Sequence, residues 1–159
     1  MPSARRTVAE AGTNPSELPL GALLHRAAAL FAADFDDRLA DSEFPDLSLA
    51  HARNVLRHLA DGPLRASQIV GRCEVSKQAV SQQIAQLAAS GYVQVEPDPA
   101  DHRARILALT PDGRRAMALA RRVFAEIEQD WAVRMGPADA EALRSGLTAI
   151  IVRSPDPDC

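Results

Sequence analysis

The first half of the chain divides into helical blocks separated by breakers. From Leu20 to about Leu39 apolar residues recur at steps of three and four, which is the spacing of one face of an α-helix. Pro45 prevents that helix from continuing through the following loop. Ser48 is a favoured N-cap residue, so a second helix is expected from there to about Leu59.

The middle of the chain predicts shorter helices that are separated by a tight connection. A short third helix is predicted from about Arg65 to Arg72, with Ile69 and Val70 turned inward. A tight connection follows. Ser76 is then the natural N-cap of a fourth helix, and Gly91 stands where a glycine ends a helix.

After Gly91 the period changes from helical to alternating. Residues 92–96 and 103–109 read as two short strands around the proline-containing turn 97–102, which predicts a β-hairpin. Thr110 followed by Pro111 predicts the start of a long helix to about Met135, and a last helix is expected from about Pro137 to Val152. The predicted fold class is mostly α with a small β-hairpin.

Composition supports this fold class and excludes several functions. The 159 residues are 47% apolar but only 4% aromatic, so alanine and aliphatic residues must build the core. No apolar window is long enough to span a membrane, and no apolar stretch follows the arginines of the N-terminal segment, so a cytoplasmic protein without membrane association is expected. Cys73 and Cys159 form neither a disulfide framework nor a zinc site. No metal or cofactor is expected, and the absence of a catalytic motif predicts that the chain is not an enzyme.

The order of short helix, turn, helix and hairpin over residues 65–109 fits a helix-turn-helix followed by a wing. A helix that enters a DNA major groove needs hydrogen-bonding side chains on its first turns. Lysine there can meet a phosphate or a guanine edge, and glutamine can pair with adenine. The candidate DNA-reading residues, with Gln83 left open, are Ser76, Lys77, Gln78, Ser81 and Gln82.

The hairpin tip carries a second set of candidates. Arg103 and Arg105 lie where no core packing demands them, and arginine is attracted into a narrow minor groove. The carboxylate of Asp101 is expected to orient Arg103 through a charge-assisted hydrogen bond. Residues 63–109 hold five basic and four acidic residues, a balance of +1 in a chain of net charge -3. The alternative for both sets is a polar surface that is merely solvated.

The stretch from Val75 to Gly113, VSKQAVSQQIAQLAASGYVQVEPDPADHRARILALTPDG, resembles the recognition helix and wing of the MarR family of bacterial transcription regulators. Asp101 and Arg103, followed by Leu109-Thr110 and Gly113, are similar to the wing signature of that family. The resemblance implies a homodimer of winged helix-turn-helix lobes that binds a pseudo-palindromic operator in double-stranded DNA, often as a repressor. It also implies that the regulator is often released from DNA by a small effector, frequently an aromatic or phenolic acid, or by oxidation.

This interpretation assigns an expected role to each segment of the chain. Residues 1–17 are expected to be a mobile arm, 47–109 the DNA-binding lobe, 18–46 with 110–153 a helical dimerisation region, and 154–159 a loose tail. Apolar stripes on the outer helices need a partner, and a second copy of the chain would supply it. The dimerisation residues expected are Leu23, Phe31, Phe124, Ile127, Trp131, Leu143, Leu147 and Ile150. The alternative is a monomeric helical bundle.

Several residues keep two interpretations. Cys73 is either a buried structural cysteine or a redox switch beside the fourth helix. The histidines His25, His51 and His58 either converge in a metal or ligand pocket or are separate core-edge or surface residues. The competing function for the whole lobe is a winged-helix module that docks a protein. Such a surface tends to be apolar, whereas this one carries amide groups and arginine.

Overall fold

The structure is a computed structural model that describes residues 14–73 and 75–153. Of the predicted arm only residues 14–17 are described, in which Asn14 caps the single 3-10 turn Pro15–Glu17, and the predicted tail lies outside the described residues. The helices of the described residues are α1 (Leu20–Ala40), α2 (Leu49–Asn54), α3 (Ala66–Gly71), α4 (Lys77–Ala89), α5 (Pro111–Met135) and α6 (Pro137–Arg153). The strands are β1 (Leu64–Arg65), β2 (Val93–Asp98) and β3 (Asp101–Leu109).

The predicted fold class is confirmed, and the helix starts follow the sequence signals. Ser48 accepts a hydrogen bond from the amide of His51, Ser76 accepts one from Ala79, and Thr110 accepts one from Gly113. Gly91 has a φ of +76°, the left-handed conformation that lets the chain leave α4 and turn into β2.

The prediction of one continuous helix from Ser48 to Leu59 is wrong. The α-helix ends at Asn54, Val55 leaves helical geometry, and Leu56–Leu59 forms a 3-10 turn. Residues three apart align in a 3-10 helix, so Leu56 and Leu59 both point into the core, where they are 0% and 2% exposed.

The predicted hairpin is present but longer, and it is not alone. The strands reach Asp98 and begin again at Asp101, so the turn is confined to Pro99 and Ala100 rather than to 97–102. The two-residue strand β1 pairs with β3, Leu64 opposite Leu107 and Arg65 opposite Ile106, which makes a three-stranded antiparallel sheet in the order β1-β3-β2. A two-residue strand has no alternation to reveal it, so the sequence did not predict β1.

The main core lies where the lobe meets α1 and α5. It is filled by side chains from the second half of α1, from α2 to α4, from the sheet and from the first two thirds of α5. An aromatic contact joins α1 to α5. The ring centroid of Phe124 lies 5.4 Å from that of Phe31 and 4.8 Å from that of Phe35. Trp131 meets Phe31 edge to face at 5.6 Å.

Polar contacts fix α1 to its neighbours. Arg38 binds Asp34 on its own helix at 2.8 Å and Asp130 on α5 at 2.7 Å. Asp36 accepts a hydrogen bond of 2.7 Å from the amide of Leu49, so a side chain of α1 caps the first turn of α2. The orientation of the lobe relative to α1 is therefore set by a direct bond.

The start of α5 is pressed against the connection between α4 and β2. A β-carbon on Gly113 would lie 1.9 Å from the carbonyl oxygen of Tyr92, so only glycine fits there. Thr110 donates its hydroxyl to the carbonyl of Gly91 at 2.7 Å, which closes the same junction. Across the described ranges, no helix has the length and hydrophobicity needed to span a bilayer.

Candidate nucleic-acid interface

The fourth helix presents a polar face built in the way the sequence predicts. Val80 and Leu87 are buried against the lobe core and Ile84 is half-buried, so the opposite face points to solvent. All the predicted helix residues are exposed, namely Ser76, Lys77, Gln78, Ser81 and Gln82. The helix therefore offers a cation, hydroxyls and amides to a surface outside the lobe.

Two amide contacts hold this helix from behind. Asn54 of α2 donates a hydrogen bond of 3.1 Å to Gln83, which is half-buried. Nε2 of His51 lies 3.0 Å from Oε1 of Gln86. Because Nδ1 of His51 accepts the amide of Ser48 at 3.3 Å, Nε2 carries the proton and donates to Gln86. Gln83, left open by the sequence, thus serves the packing of α4 on α2.

The wing places its charged residues on one side of a strand. Asp101, Arg103 and Arg105 alternate along β3 and are all exposed. The carboxylate of Asp101 accepts a hydrogen bond of 3.1 Å from the backbone amide of Arg103. It therefore shapes the chain at the start of β3, whereas the sequence predicted a bond to the guanidinium.

The helix and the wing meet across an open cleft of about 450 Å³. Lys77 and Ser81 of α4 line one wall, and the charged residues of β3 line the other. The structure thus brings together residues that are 20 or more positions apart in sequence. Of the cleft-lining residues that the structure describes, four are cationic and one is acidic: Arg65, Lys77, Arg103 and Arg105, with Asp101. The cleft is a region of positive potential suited to phosphate groups.

Sequence reasoning missed Arg65 and its partner Asp98. Asp98 sits in a Pro-Asp-Pro segment that reads as turn, yet it is the last residue of β2 and only 4% exposed. The hydrogen bond from the amide of Ala100 is the main cause that lowers the pKa of Asp98, followed by the bond from Arg65, while burial opposes both. Only the unpredicted strand β1 brings Arg65 within reach.

The three histidines have different surroundings, and one of them, His58, lies beside Cys73. His25 is exposed on α1, and His51 is engaged with Ser48 and Gln86. Cys73 is half-buried, donates to the carbonyl of Asn54 at 3.1 Å and lies 3.8 Å from Nε2 of His58. Burial, together with the charges of Arg57 and Arg72, lowers the pKa of His58. Within residues 14–73 and 75–153 no group of histidine, cysteine and carboxylate side chains is arranged to hold a metal ion.

A helix-turn-helix over α3 and α4, followed by a two-stranded hairpin that carries arginines, defines a winged-helix protein. Comparisons with known proteins show which family this lobe is similar to. Residues 46–104 match the model of the MarR family. The resemblance predicted from the wing motif is thereby confirmed over the winged-helix lobe, which is similar to the MarR family of transcription regulators, and the fold of the chain is that of solved MarR-family structures.

Solved structures extend the match beyond the lobe. Two are BpsR of Bordetella bronchiseptica, with 27% identity and a TM-score of 0.69 over 91% of this chain and all of that one, and the transcriptional repressor CouR bound to a DNA duplex, with 29% identity and a TM-score of 0.70 over 85% and 93%. The reduced form of MarR from E. coli has 17% identity and a TM-score of 0.75 over 84% and 97%, which shows a shared fold. Among curated proteins, no sequence matches significantly.

Proposed function

We propose that this chain is a sequence-specific DNA-binding transcriptional regulator, acting as a repressor, that binds a pseudo-palindromic operator as a homodimer. The observation that carries the proposal is the single exposed face on which α4 and the wing present their polar and cationic side chains around one cleft. The DNA-bound state of CouR, a relative of the same fold, supports the same use here.

The two elements have different roles on the duplex. The first turns of α4 enter the major groove, where Gln78 or Gln82 pairs with adenine and Lys77 meets a guanine edge or a phosphate. Arg103 reaches the minor groove from the wing, and Arg105 contacts the backbone beside it. Asp101 acts on Arg103 through its backbone amide, and Ser76 and Ser81 supply hydroxyls to phosphates.

Dimerisation is proposed from hydrophobic side chains that a single chain leaves exposed. On α1 and α6 these include Leu23 at 37%, Leu143 at 42% and Ile150 at 58% exposed. A groove of about 540 Å³ between α5 and α6 is lined by Phe31, Trp131, Leu143 and Leu147, all proposed as dimer residues. Ile127 is fully buried in its own chain and Phe124 packs on Phe35, so these two support the surface from within.

A small aromatic or phenolic acid is the proposed effector. DNA binding by BpsR of Bordetella bronchiseptica is regulated by 6-hydroxynicotinic acid, and BpsR shares 27% identity with this chain. The alternative of a protein-docking module is less well supported, because the face that would dock is polar and cationic rather than apolar. The proposed role is regulatory and not enzymatic.

Selection of bound duplexes from random DNA, followed by mobility shift, tests the proposal. Arg103→Ala is expected to weaken binding to all selected duplexes, whereas Gln78→Ala should cost about 1–3 kcal/mol at one base position. If the dimer neutralises about six phosphates, log K should fall with log salt at a slope near -5. Arg121→Ala and Gln129→Ala, both at exposed positions of α5, are the matched controls. Unchanged binding by both test variants would contradict these residue assignments.

A further inference from the structure

The contact between Arg65 and Asp98 is unusual in this molecule because its carboxylate is buried. Among the side chains described within residues 14–73 and 75–153, Asp98 is the only charged one that is buried. Its Oδ2 accepts a hydrogen bond of 2.7 Å from Nε of Arg65, and its Oδ1 accepts one of 2.8 Å from the amide of Ala100. Burying a carboxylate is costly unless it is paired and hydrogen-bonded, so this site is built around Arg65.

The topology shows what the pair connects. Arg65 lies on β1 opposite Ile106 of β3, and Asp98 ends β2 on the other side of β3. The guanidinium therefore reaches from one edge strand of the sheet to the far end of the other. The backbone amide of Arg65 is also fixed, because it donates to Gln68 at 2.9 Å at the start of α3. One residue thus links the helix-turn-helix to the tip of the wing.

Arg65, whose side chain is partly exposed, also borders the cleft. Arg65 lines it together with Ser67 of α3, Lys77 of α4 and the arginines of β3. The side chain is 46% exposed, and its contacts with Asp98 use Nε and Nη2. Its Nη1 has no partner within the described part of the chain. A guanidinium held along one edge by a carboxylate keeps its other donors in a fixed orientation.

We propose that Arg65 is a DNA-contacting residue that binds a backbone phosphate at the rim of the cleft, and that Asp98 is its positioning residue. This inference rests on the proposed DNA-binding function and adds a contact from α3 and β1 to those of α4 and the wing. The buried carboxylate fixes the guanidinium before DNA arrives, so less side-chain freedom is lost when the phosphate binds.

The proposal predicts a change opposite to the one expected from charge alone. Asp98→Asn removes a negative charge near the DNA face and on that account should strengthen attraction to DNA. If Asp98 positions Arg65, the same change weakens binding several-fold. Asp112→Asn removes an equal charge from an exposed carboxylate at the start of α5 that pairs with Arg115, and it should leave affinity unchanged or slightly tighter.

Salt dependence identifies the phosphate contact. Mobility shift or fluorescence anisotropy is measured over a salt series for Arg65→Ala, Arg65→Lys and Arg65→Ala/Asp98→Asn on the selected duplex. Loss of one phosphate contact makes the slope of log K against log salt shallower by about 0.9 per lobe. Arg65→Lys should keep the wild-type slope, since the charge remains, while its affinity falls. Asp98→Asn should have little further effect once Arg65 is absent.

Each outcome decides the matter. Equal or tighter binding by Asp98→Asn overturns the role of Asp98, and weaker binding by Arg65→Ala with an unchanged salt slope overturns the phosphate contact. Arg65→Ala alone leaves a buried charge unpaired and risks unfolding the wing, so thermal unfolding is measured in parallel. The double variant removes that charge, and its slope decides if a single variant fails to fold. Absence of DNA binding by the wild type would instead contradict the proposed function itself.

Discussion

The winged lobe and the terminal helices differ in how far their hydrophobic side chains are exposed. In the lobe, Ile69, Val80 and Leu107 are completely buried within the chain. In the first half of α1 and along α6, Leu20, Leu30 and Ile151 are between 60% and 69% exposed. Both regions contain helices with apolar spacing in the sequence, yet only the lobe, packed on the second half of α1 and the first part of α5, buries its apolar side chains within the single chain.

This difference separates two kinds of surface. The apolar side chains of the lobe are buried within the chain, so its exposed face can consist of polar side chains that contact DNA. The terminal helices expose neighbouring aliphatic side chains at both ends of the chain, which is typical of an interface that another protein chain covers. We therefore expect lobe variants to change stability independently of concentration, and α6 variants to change assembly.

The largest effect is expected at the junction between the lobe and α5. Gly113→Ala places a β-carbon 1.9 Å from the carbonyl oxygen of Tyr92, so the backbone of α5 or of β2 must move. We expect a loss of about 3 kcal/mol in the free energy of unfolding, since overpacking against backbone cannot be relieved by a rotamer change. Chemical denaturation monitored by circular dichroism measures this loss.

Gly71→Ala is the matched control for that substitution. A β-carbon on Gly71, at the end of α3, meets nothing within 4 Å. Its stability should stay close to that of the wild type. Similar losses in the two variants would mean that the close approach of α5 to Tyr92 is not what requires glycine at position 113.

The second prediction concerns the exposed face of α6. Ile150→Lys introduces a charge at a side chain that is 58% exposed in the single chain. If a second copy covers it, the charge must be desolvated on association, and the dimer should dissociate at concentrations at which the wild type remains paired. Sedimentation velocity across a dilution series measures the change.

Ser145→Lys adds the same charge elsewhere on the same helix and serves as its control. Ser145 lies near Glu141, with a hydroxyl-to-carboxylate distance of 3.4 Å, so a lysine there has a partner of opposite charge. A wild-type protein that is monomeric at all concentrations, or equal behaviour of the two variants, would contradict the proposed interface.

Features that depend on local signals could be predicted from the sequence. Helix starts at Ser48, Ser76 and Thr110 were predictable because an N-cap is a local signal carried by one side chain and the next turn. The candidate DNA-reading residues on α4 were predictable for a similar reason. Val80, Ile84 and Leu87 determine which face of the helix points inward, and the opposite face is therefore exposed.

Non-local features escaped prediction. Strand β1 exists because Leu64 finds Leu107 across the sheet, more than 40 positions away, and two residues carry no periodicity. The pairing of Arg65 with Asp98 depends on that strand. The break at Val55 reflects the need to bury Val55 and Leu56 together with Leu59, a demand of the core rather than of the local sequence.

A smaller effect is expected from acid. The bonds from Ala100 and Arg65 lower the pKa of Asp98 below its ordinary 3.8, so its contribution to stability is present above that pH and is lost as the pH falls through the pKa of the folded state. Asp98→Asn should be less stable than the wild type at neutral pH, and the difference should vanish in strong acid. Equilibrium unfolding from neutral pH to about pH 2 tests this. A constant difference would contradict the assignment.

The smallest effect is expected at His58, which lies inside the lobe beside Cys73. Burial, then Arg57 and Arg72, lower its pKa from 6.5, so the unfolded chain binds a proton more readily than the folded one in the window just below 6.5. Stability should therefore rise with pH through that window. His58→Gln should remove this rise, and Arg72→Gln should narrow it, because the charge of Arg72 contributes to the lowering. If both variants keep the wild-type pH dependence in thermal unfolding, the half-buried His58 does not control that dependence.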